Sequence, residues 1–253
     1  MSQPAFSVIV RTCNRPEFLP RCLESIARQE CRDFEVVLVN DGGPPVHPAA
    51  PFPLTCVQHD KRRGRPYALN SGLRAARGRY LAFLDDDDRY LPHHLSTLAE
   101  VLSDAAPAAY TDVYSVGKDG RRELTWNRDF WQPLLYWENW IPICALGVSR
   151  AVAEEVGEVD ERLLAFEDWD YLIRLSERVR FRHVPVPTAE VYFHGGNIMG
   201  TDLRRYYRMI MEKHQAARRR QLLPWRLPVN AYFYLSQRLA GHRKKEKDRS
   251  SAK

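Results

Sequence analysis

Three short runs constrain the fold of this chain more than any other feature. "FSVIVRT" (6–12), "FEVVLVND" (34–41) and "YLAFL" (80–84) are apolar almost to their last residue and rich in β-branched or aromatic side chains. They do not alternate apolar with polar, so they read as strands buried on both faces, as in a parallel sheet covered by helices. Between the first two, Phe18, Leu19, Cys22, Leu23 and Ile26 recur at helical spacing. Asn14 stands where it could cap that helix, and Pro16 suits its first turn. "LTCVQHD" (54–60) predicts a short strand, and the residues from about 66 to 77 a helix that stops at Gly78. Strand–helix–strand alternation at these lengths predicts right-handed crossovers. The expected class is α/β, with a Rossmann-like, mostly parallel central sheet flanked by helices.

A sheet of this kind binds ligands beyond the carboxyl ends of its strands. At those ends stand "RTCNR" (11–15), "NDGG" (40–43) and "LDDDD" (84–88). Four consecutive carboxylates repel one another, and a hard divalent cation would relieve the repulsion. Magnesium and manganese are usually held by one or two carboxylates together with a substrate phosphate. Only one or two of Asp85–Asp88 are therefore expected on a metal. The plainer alternative is a solvated acidic turn, with Asp88 capping a helix that starts near Pro92.

Beyond residue 105 the alternation weakens. "AAYTDVYSV" (108–116) is a further strand candidate, followed by the turn "GKDG" and an aromatic-rich stretch at 126–142 holding four of six tryptophans. A helix opening near Ser149 is expected to end at Gly157. Another, "FEDWDYLIRLSE" (166–177), carries Glu167 and Asp168 in its first turn, where the helix dipole favours carboxylates. Five cysteines form no CxxC pair, which argues against a disulfide framework or a zinc site. The net charge of +6 belongs to the end of the chain. Residues 214–253 carry eleven Lys or Arg against two acids, which leaves about −3 for residues 1–213. That pattern suits peripheral contact with an anionic membrane better than nucleic-acid binding, for which no module is present.

The same segments carry a family resemblance. "FSVIVRTCNRPEFLPRCLESIARQECRDFEVVLVNDGG", "ALNSGLRAARGRYLAFLDDDDRYLP" and "VGEVDERLLAFEDWDYLIRL" resemble, in order, three blocks of the family 2 glycosyltransferases, inverting enzymes of GT-A fold. The resemblance covers residues 6 to about 200. It implies that Thr12, Asn14 and Arg15 cradle the base and ribose of a nucleotide-sugar, that Asp41 accepts a hydrogen bond from the base, and that Asn70, Asp85 and Asp86 also serve the donor. Asp87 and Asp85 would be metal ligands, with His194 completing the shell. Asp168 would be the catalytic base, with Glu167 beside it. Trp137, Trp140 and Trp169 are candidates to line an acceptor cleft; the alternative is that the tryptophans are core, as large aromatics usually are, and a mixture with most of them in the core is expected. Two departures stand out: "RTCNR" lacks the proline and aromatic residue often found around the threonine, and "NDGG" replaces a paired-Asp turn.

These expectations describe an inverting glycosyltransferase that uses Mn2+ or Mg2+ and a nucleotide-diphosphate sugar, UDP favoured over dTDP or GDP. The acceptor would be a glycan, a lipid-linked molecule or a small molecule. Residues 1–213 would form the GT-A domain, about 1–104 binding the donor and about 105–213 supplying the acceptor side and the base. Residues 214–253 would form a basic helical extension. "MSQPAFSVIV" carries neither a basic leader nor a cleavage site, so a cytoplasmic protein is expected. For the basic extension, peripheral contact at the inner face of a membrane and a helix packed on the body with a solvated end from about Arg243 stand as alternatives. The rival readings are a nucleotidyltransferase and a catalytically silent binding protein of the same fold.

Overall fold

The computed structural model describes residues 3–193 and 202–222; His194 and the basic end of the chain lie outside the described residues. β1 (Phe6–Thr12) is buried along its whole length, and β2 (Phe34–Asn40) and β4 (Tyr80–Asp85) are buried at all but one position each. This is why their sequences show no alternation: helices cover both faces. β1 pairs in parallel with β2 from Phe6↔Phe34 to Thr12↔Asn40, and with β4 from Phe6↔Tyr80 to Arg11↔Asp85. β3 (Leu54–Gln58) adds a further parallel strand beyond β2. In this register Thr12 and Asn40 finish side by side and Asp85 pairs with Arg11, one residue back, and the polar residues that follow leave the sheet at one edge.

Burial of Val8, Ile9, Val36, Leu38, Leu81 and Leu84 anchors this layer, each side chain contributing roughly 1.5–3 kcal/mol. The helices of this half are α1 (Leu19–Ala27), α2 (Arg65–Ala75) and α3 (His94–Val101). α2 packs close to the sheet because Gly72 faces it: a Cβ there would lie 2.3 Å from Ile9 Cγ2.

Three local expectations are corrected. α1 begins only at Leu19, with Phe18 at its N-terminal boundary and no side-chain cap, so Asn14 caps nothing. Asn14 instead adopts a left-handed turn conformation, φ 51°. α2 ends at Ala75, and Gly78 is needed elsewhere: a Cβ on it would lie 2.4 Å from the backbone nitrogen of Ser7. Nor does Asp88 cap α3, whose boundary residue is His93; its Oδ1 accepts a hydrogen bond from Tyr192 N at 3.1 Å.

The second half extends the same sheet with mixed polarity. β6 (Ala108–Val116), β7 (Arg122–Trp126), β8 (Leu146–Ser149), β9 (Arg182–Tyr192) and the short β5 (Arg89–Tyr90) complete it. Among the described residues the order is β3-β2-β1-β4-β8-β6-β9-β5, with β7 paired to β6. β8 is antiparallel to both β4 and β6, so β6 and its parallel partner β9 run in the direction of the first four strands. The helices here are α4 (Gln132–Leu135), α5 (Arg150–Val156), which ends at Gly157 as expected, and α6 (Glu167–Ser176).

The chain forms two compact units, Met1–Ile210 and Met211–Lys253. α7 (Leu203–Lys213) buries Tyr206 and Ile210; α8 (Gln215–Leu222) belongs to the second unit. No helix among the described residues is long and apolar enough to cross a membrane.

Candidate active site

The carboxyl edge of β1, β2 and β4 gathers most of the titratable side chains singled out in the sequence. After Thr12 the chain turns through Cys13, Asn14 and Arg15, and Asn14 packs against the "NDGG" turn. Gly43 (φ 90°) has no room for a side chain, since a Cβ would fall 1.9 Å from Asn14 Oδ1. Asp41 N donates to Thr12 O at 2.8 Å, locking the two strand ends together.

Asp41 is buried and its carboxylate is well supplied with donors. Arg63 N and Gly64 N, just before α2, donate to it at 2.8 Å each, and His59 Nδ1 lies 3.0 Å from Oδ1. His59 Nε2 in turn lies 3.0 Å from Ser71 Oγ. The order Asp–His–Ser has the connectivity of a nucleophilic triad, but Ser71 sits within α2, is buried, and accepts from Arg74 Nη2. The network orients Asp41 instead, and its three protein donors occupy three of about four acceptor positions on the carboxylate.

The four aspartates have four different environments. Arg11 holds Asp85 Oδ1 from Nε at 2.9 Å and Nη2 at 2.6 Å, and Arg65 holds Oδ2 at 3.1 Å. Burial would raise the Asp85 pKa, but the two guanidinium groups outweigh it and hold it at about 2. Asp86 points inward and is fully buried, accepting from Thr12 Oγ1 at 2.6 Å and ion-paired with Arg15. Its burial wins over these partners and pushes it up to about 7. Asp87 Oδ2 receives Arg15 Nη1 at 2.7 Å. Asp88 is buried against β9, and burial, followed by the repulsion of Asp87 and Asp85, raises it well above the usual carboxylate range.

Across the edge stands the first turn of α6. Phe166 enters it in a left-handed conformation, φ 62°, which turns Glu167 and Asp168 back toward the strand ends. Glu167 is 1% exposed and is paired with Arg11 at 2.9 Å and Arg65 at 3.3 Å. Arg11 and Arg65 therefore each bridge Asp85 on β4 to Glu167 on α6. Asp168 accepts from Trp169 N at 2.8 Å and from Asn139 Nδ2 at 3.3 Å. Burial and the neighbouring Glu167 raise its pKa, and Arg65 and Arg11 oppose the rise.

Other candidates lie deeper. Asn70 is fully buried and both ends of its amide are engaged: Nδ2 donates to Val159 O and Glu161 Oε1, and Oδ1 accepts from Val159 N. It ties α2 to the segment leading into α6 and has no exposed atom for a donor. Trp140 and Trp169 are 3% and 2% exposed, and Trp169 Nε1 donates to Leu135 O. They are core, which leaves the half-buried Trp137 as the one of the three with surface to offer. Among the described residues no group of three or more His, Cys, Asp or Glu side chains is disposed to hold a metal ion.

Four site residues escape the sequence reading: Arg11, Arg65, His59 and Asn139. Arg11 is the one charge inside an otherwise apolar strand, a signal that marks it in retrospect, since a buried charge requires a partner. The other three carry no such local mark.

Comparison with known proteins agrees with this geometry. Residues 7–149 match Glycosyl transferase family 2. Over 200 residues the chain is 32% identical to a PGL/p-HBAD biosynthesis glycosyltransferase of Mycobacterium tuberculosis, covering 74% of this chain and 77% of that protein. S. aureus TarS 1–349, solved in complex with UDP-GlcNAc, is similar in structure with a TM-score of 0.65 at 18% identity, over 81% of this chain and 65% of that one. The mannosyltransferase PcManGT from Pyrobaculum calidifontis, solved with GDP-Man and Mn2+, gives 0.58 at 18% identity, over 82% and 61%. The chain thus spans less than two thirds of either structure, and the likeness is one of fold, GT-A. The α/β sheet, the acidic strand end and the family match agree: this chain belongs to glycosyl transferase family 2 and transfers a sugar from a nucleotide-sugar donor.

Proposed function

We propose that the protein is a metal-assisted inverting glycosyltransferase in which Asp168 is the general base and Asp87 the principal metal ligand. The observation that carries this reading is the double bridge of Arg11 and Arg65. It holds the end of β4 and the first turn of α6 against one another, so the acids beside the bridge, Asp87 and Asp168, face a common edge from two sides.

The donor set fits a hard cation. All of its acids are oxygen ligands, and Asp87 keeps one carboxylate oxygen clear of Arg15. Magnesium and manganese ordinarily take one or two carboxylates and complete their shell with phosphates and water. Asp85 is the poorer ligand of the pair, because two arginines already take three of its acceptor positions. Once bound with the donor, the cation would neutralise charge developing on the departing diphosphate.

The chain's own residues supply the remainder. Asp41, with one acceptor position left, can accept from a base N–H, either the ring N–H of uracil, thymine or guanine or the exocyclic amine of cytosine or adenine; the UDP-GlcNAc and GDP-Man complexes of the structural relatives are in keeping with a donor at this position. Thr12, Asn14 and Arg15 flank the donor. Asp168 takes the proton of the acceptor hydroxyl, and its raised pKa strengthens it as a base while Asn139 fixes its orientation. General-base assistance of this kind contributes roughly 10²–10⁴-fold. With Glu167 occupied by arginines and Asp87 given to the metal, no second carboxylate is assigned as nucleophile, and this reading has the transfer proceed by one displacement with inversion. The half-buried Trp137 is the aromatic side chain placed to meet the acceptor, a glycan, a lipid-linked molecule or a small molecule. Nothing in this arrangement calls for nucleotidyl transfer.

The test is thermal unfolding with UDP, dTDP, GDP, ADP and CDP, with and without Mn2+. A diphosphate at 100 times its Kd stabilises by about 2.7 kcal/mol. At least one of these diphosphates, with UDP, dTDP and GDP the leading candidates, should raise the Tm in the presence of Mn2+. A flat response to every nucleotide in either condition would sink the proposal.

A further inference from the structure

Arg15 holds two acids that the donor and its cation would need. Its guanidinium pairs with Asp86 and Asp87, from Nη2 and Nη1 respectively. Asp86 is fully buried and the Asp87 side chain is 7% exposed, whereas the Arg15 side chain is 34% exposed. It lies 5.8 Å from the Phe18 ring, on the turn that Asn14 and Gly43 lock together. The backbone of this turn is therefore fixed, and the long side chain reaches from it over the acids with a third of its surface in solvent.

Two adjacent, nearly dry carboxylates are costly without a positive partner. Arg15 is that partner. The same position is where a cation on Asp87 would act, so a divalent ion arriving alone meets a fixed positive charge and finds one of the two Asp87 oxygens taken. A nucleotide diphosphate changes the balance, because its oxygens match the planar guanidinium fork at least as well as the carboxylates do.

We propose that Arg15 is an exchangeable counter-ion: it neutralises Asp86 and Asp87 in the empty site and passes to the donor diphosphate when the cation takes Asp87. The proposal rests on the metal-assisted reading above. Its consequence is an order of binding. The cation alone binds weakly, the diphosphate and the cation bind with positive coupling, and by linkage each raises the affinity of the other by the same factor.

The experiment titrates Mn2+, followed by its electron paramagnetic resonance signal, into the full chain with and without whichever diphosphate gives the largest thermal shift. In the wild type the diphosphate should tighten Mn2+ binding by at least about tenfold, within the ordinary range of such couplings. Arg15→Met removes the charge and keeps the apolar stem; it should tighten Mn2+ binding in the absence of nucleotide and shrink the coupling. Arg15→Lys, which keeps a charge, should preserve weak binding of the cation alone, and circular dichroism establishes that both variants are folded. If Arg15→Met leaves metal-only binding unchanged or weaker while the wild type still binds Mn2+ with the diphosphate, the exchange is wrong and the metal-assisted reading stands. If no protein binds Mn2+ even with the diphosphate, the metal-assisted reading falls and takes the exchange with it.

Discussion

Two ionic clusters stand next to each other at the edge of one sheet and are built on opposite principles. Arg11, Arg65, Asp85 and Glu167 form a closed set in which every charge meets two of opposite sign, with Arg11 and Glu167 almost out of solvent. Arg15, Asp86 and Asp87 form an open set in which one half-buried cation serves two acids. The adjacent residues Asp85 and Asp86 fall into different clusters: Asp85 is the last residue of β4, and Asp86 opens the turn that follows. The closed cluster works as a rivet between β4 and α6. In the open cluster the partner, on the exchange proposed above, gives way to a ligand. On that proposal charge saturation separates acids that build a site from acids that serve it.

The sharpest way to break that comparison is to change the acid beside the rivet without touching the rivet. Asp168→Asn should reduce transfer by roughly 10²–10⁴-fold, with nucleotide diphosphate binding, read by thermal shift, preserved. Loss of binding as well would make Asp168 part of the donor site. Next in size is the rivet itself. Arg11→Met strands Glu167 and Asp85 with Arg65 alone, and breaking a buried pair in this way costs about 3–5 kcal/mol, measurable by urea denaturation. Arg15→Met should cost less, under about 2 kcal/mol, and Mn2+ should restore part of it. Equal losses would erase the distinction between the two clusters.

Smaller effects sharpen the picture further. Asn139→Ala frees one Asp168 oxygen and should lower kcat by about tenfold, the worth of one hydrogen bond to a charged group, with KM for the donor little changed. Arg65→Gln should move the acid limb of the rate profile. Burial and Glu167 raise the Asp168 pKa and Arg65 opposes them, so removing that cation raises it further. Since the base works when ionised, activity should then be lost at a higher pH than in the wild type. A limb that stays in place would show that Asp168 is not the group being titrated.

How much of this was legible beforehand follows from the range of each interaction. β1, β2 and β4 were readable because burial on both faces leaves an uninterrupted local pattern. α6 was readable from its length and from its acidic first turn. β7 and β8 were not, since short strands joining an existing edge need little pattern of their own. Arg11 meets Asp85 74 residues on and Glu167 156 residues on; no local window contains both. The family resemblance puts Asn70 at the donor, and aromatic faces make Trp140 and Trp169 acceptor candidates as well as core candidates. Packing gave them structural roles instead.

The sequence by itself determined that a parallel sheet would deliver a row of acids to one working edge, because strand burial and strand ends are written in neighbouring residues. Only the tertiary structure decided which of those acids are paired more than once, which share a single cation, and which arginines divide them. Electrostatic pairing acts through space, between side chains that the chain order keeps far apart, and its strength depends on burial that exists only once the fold has closed.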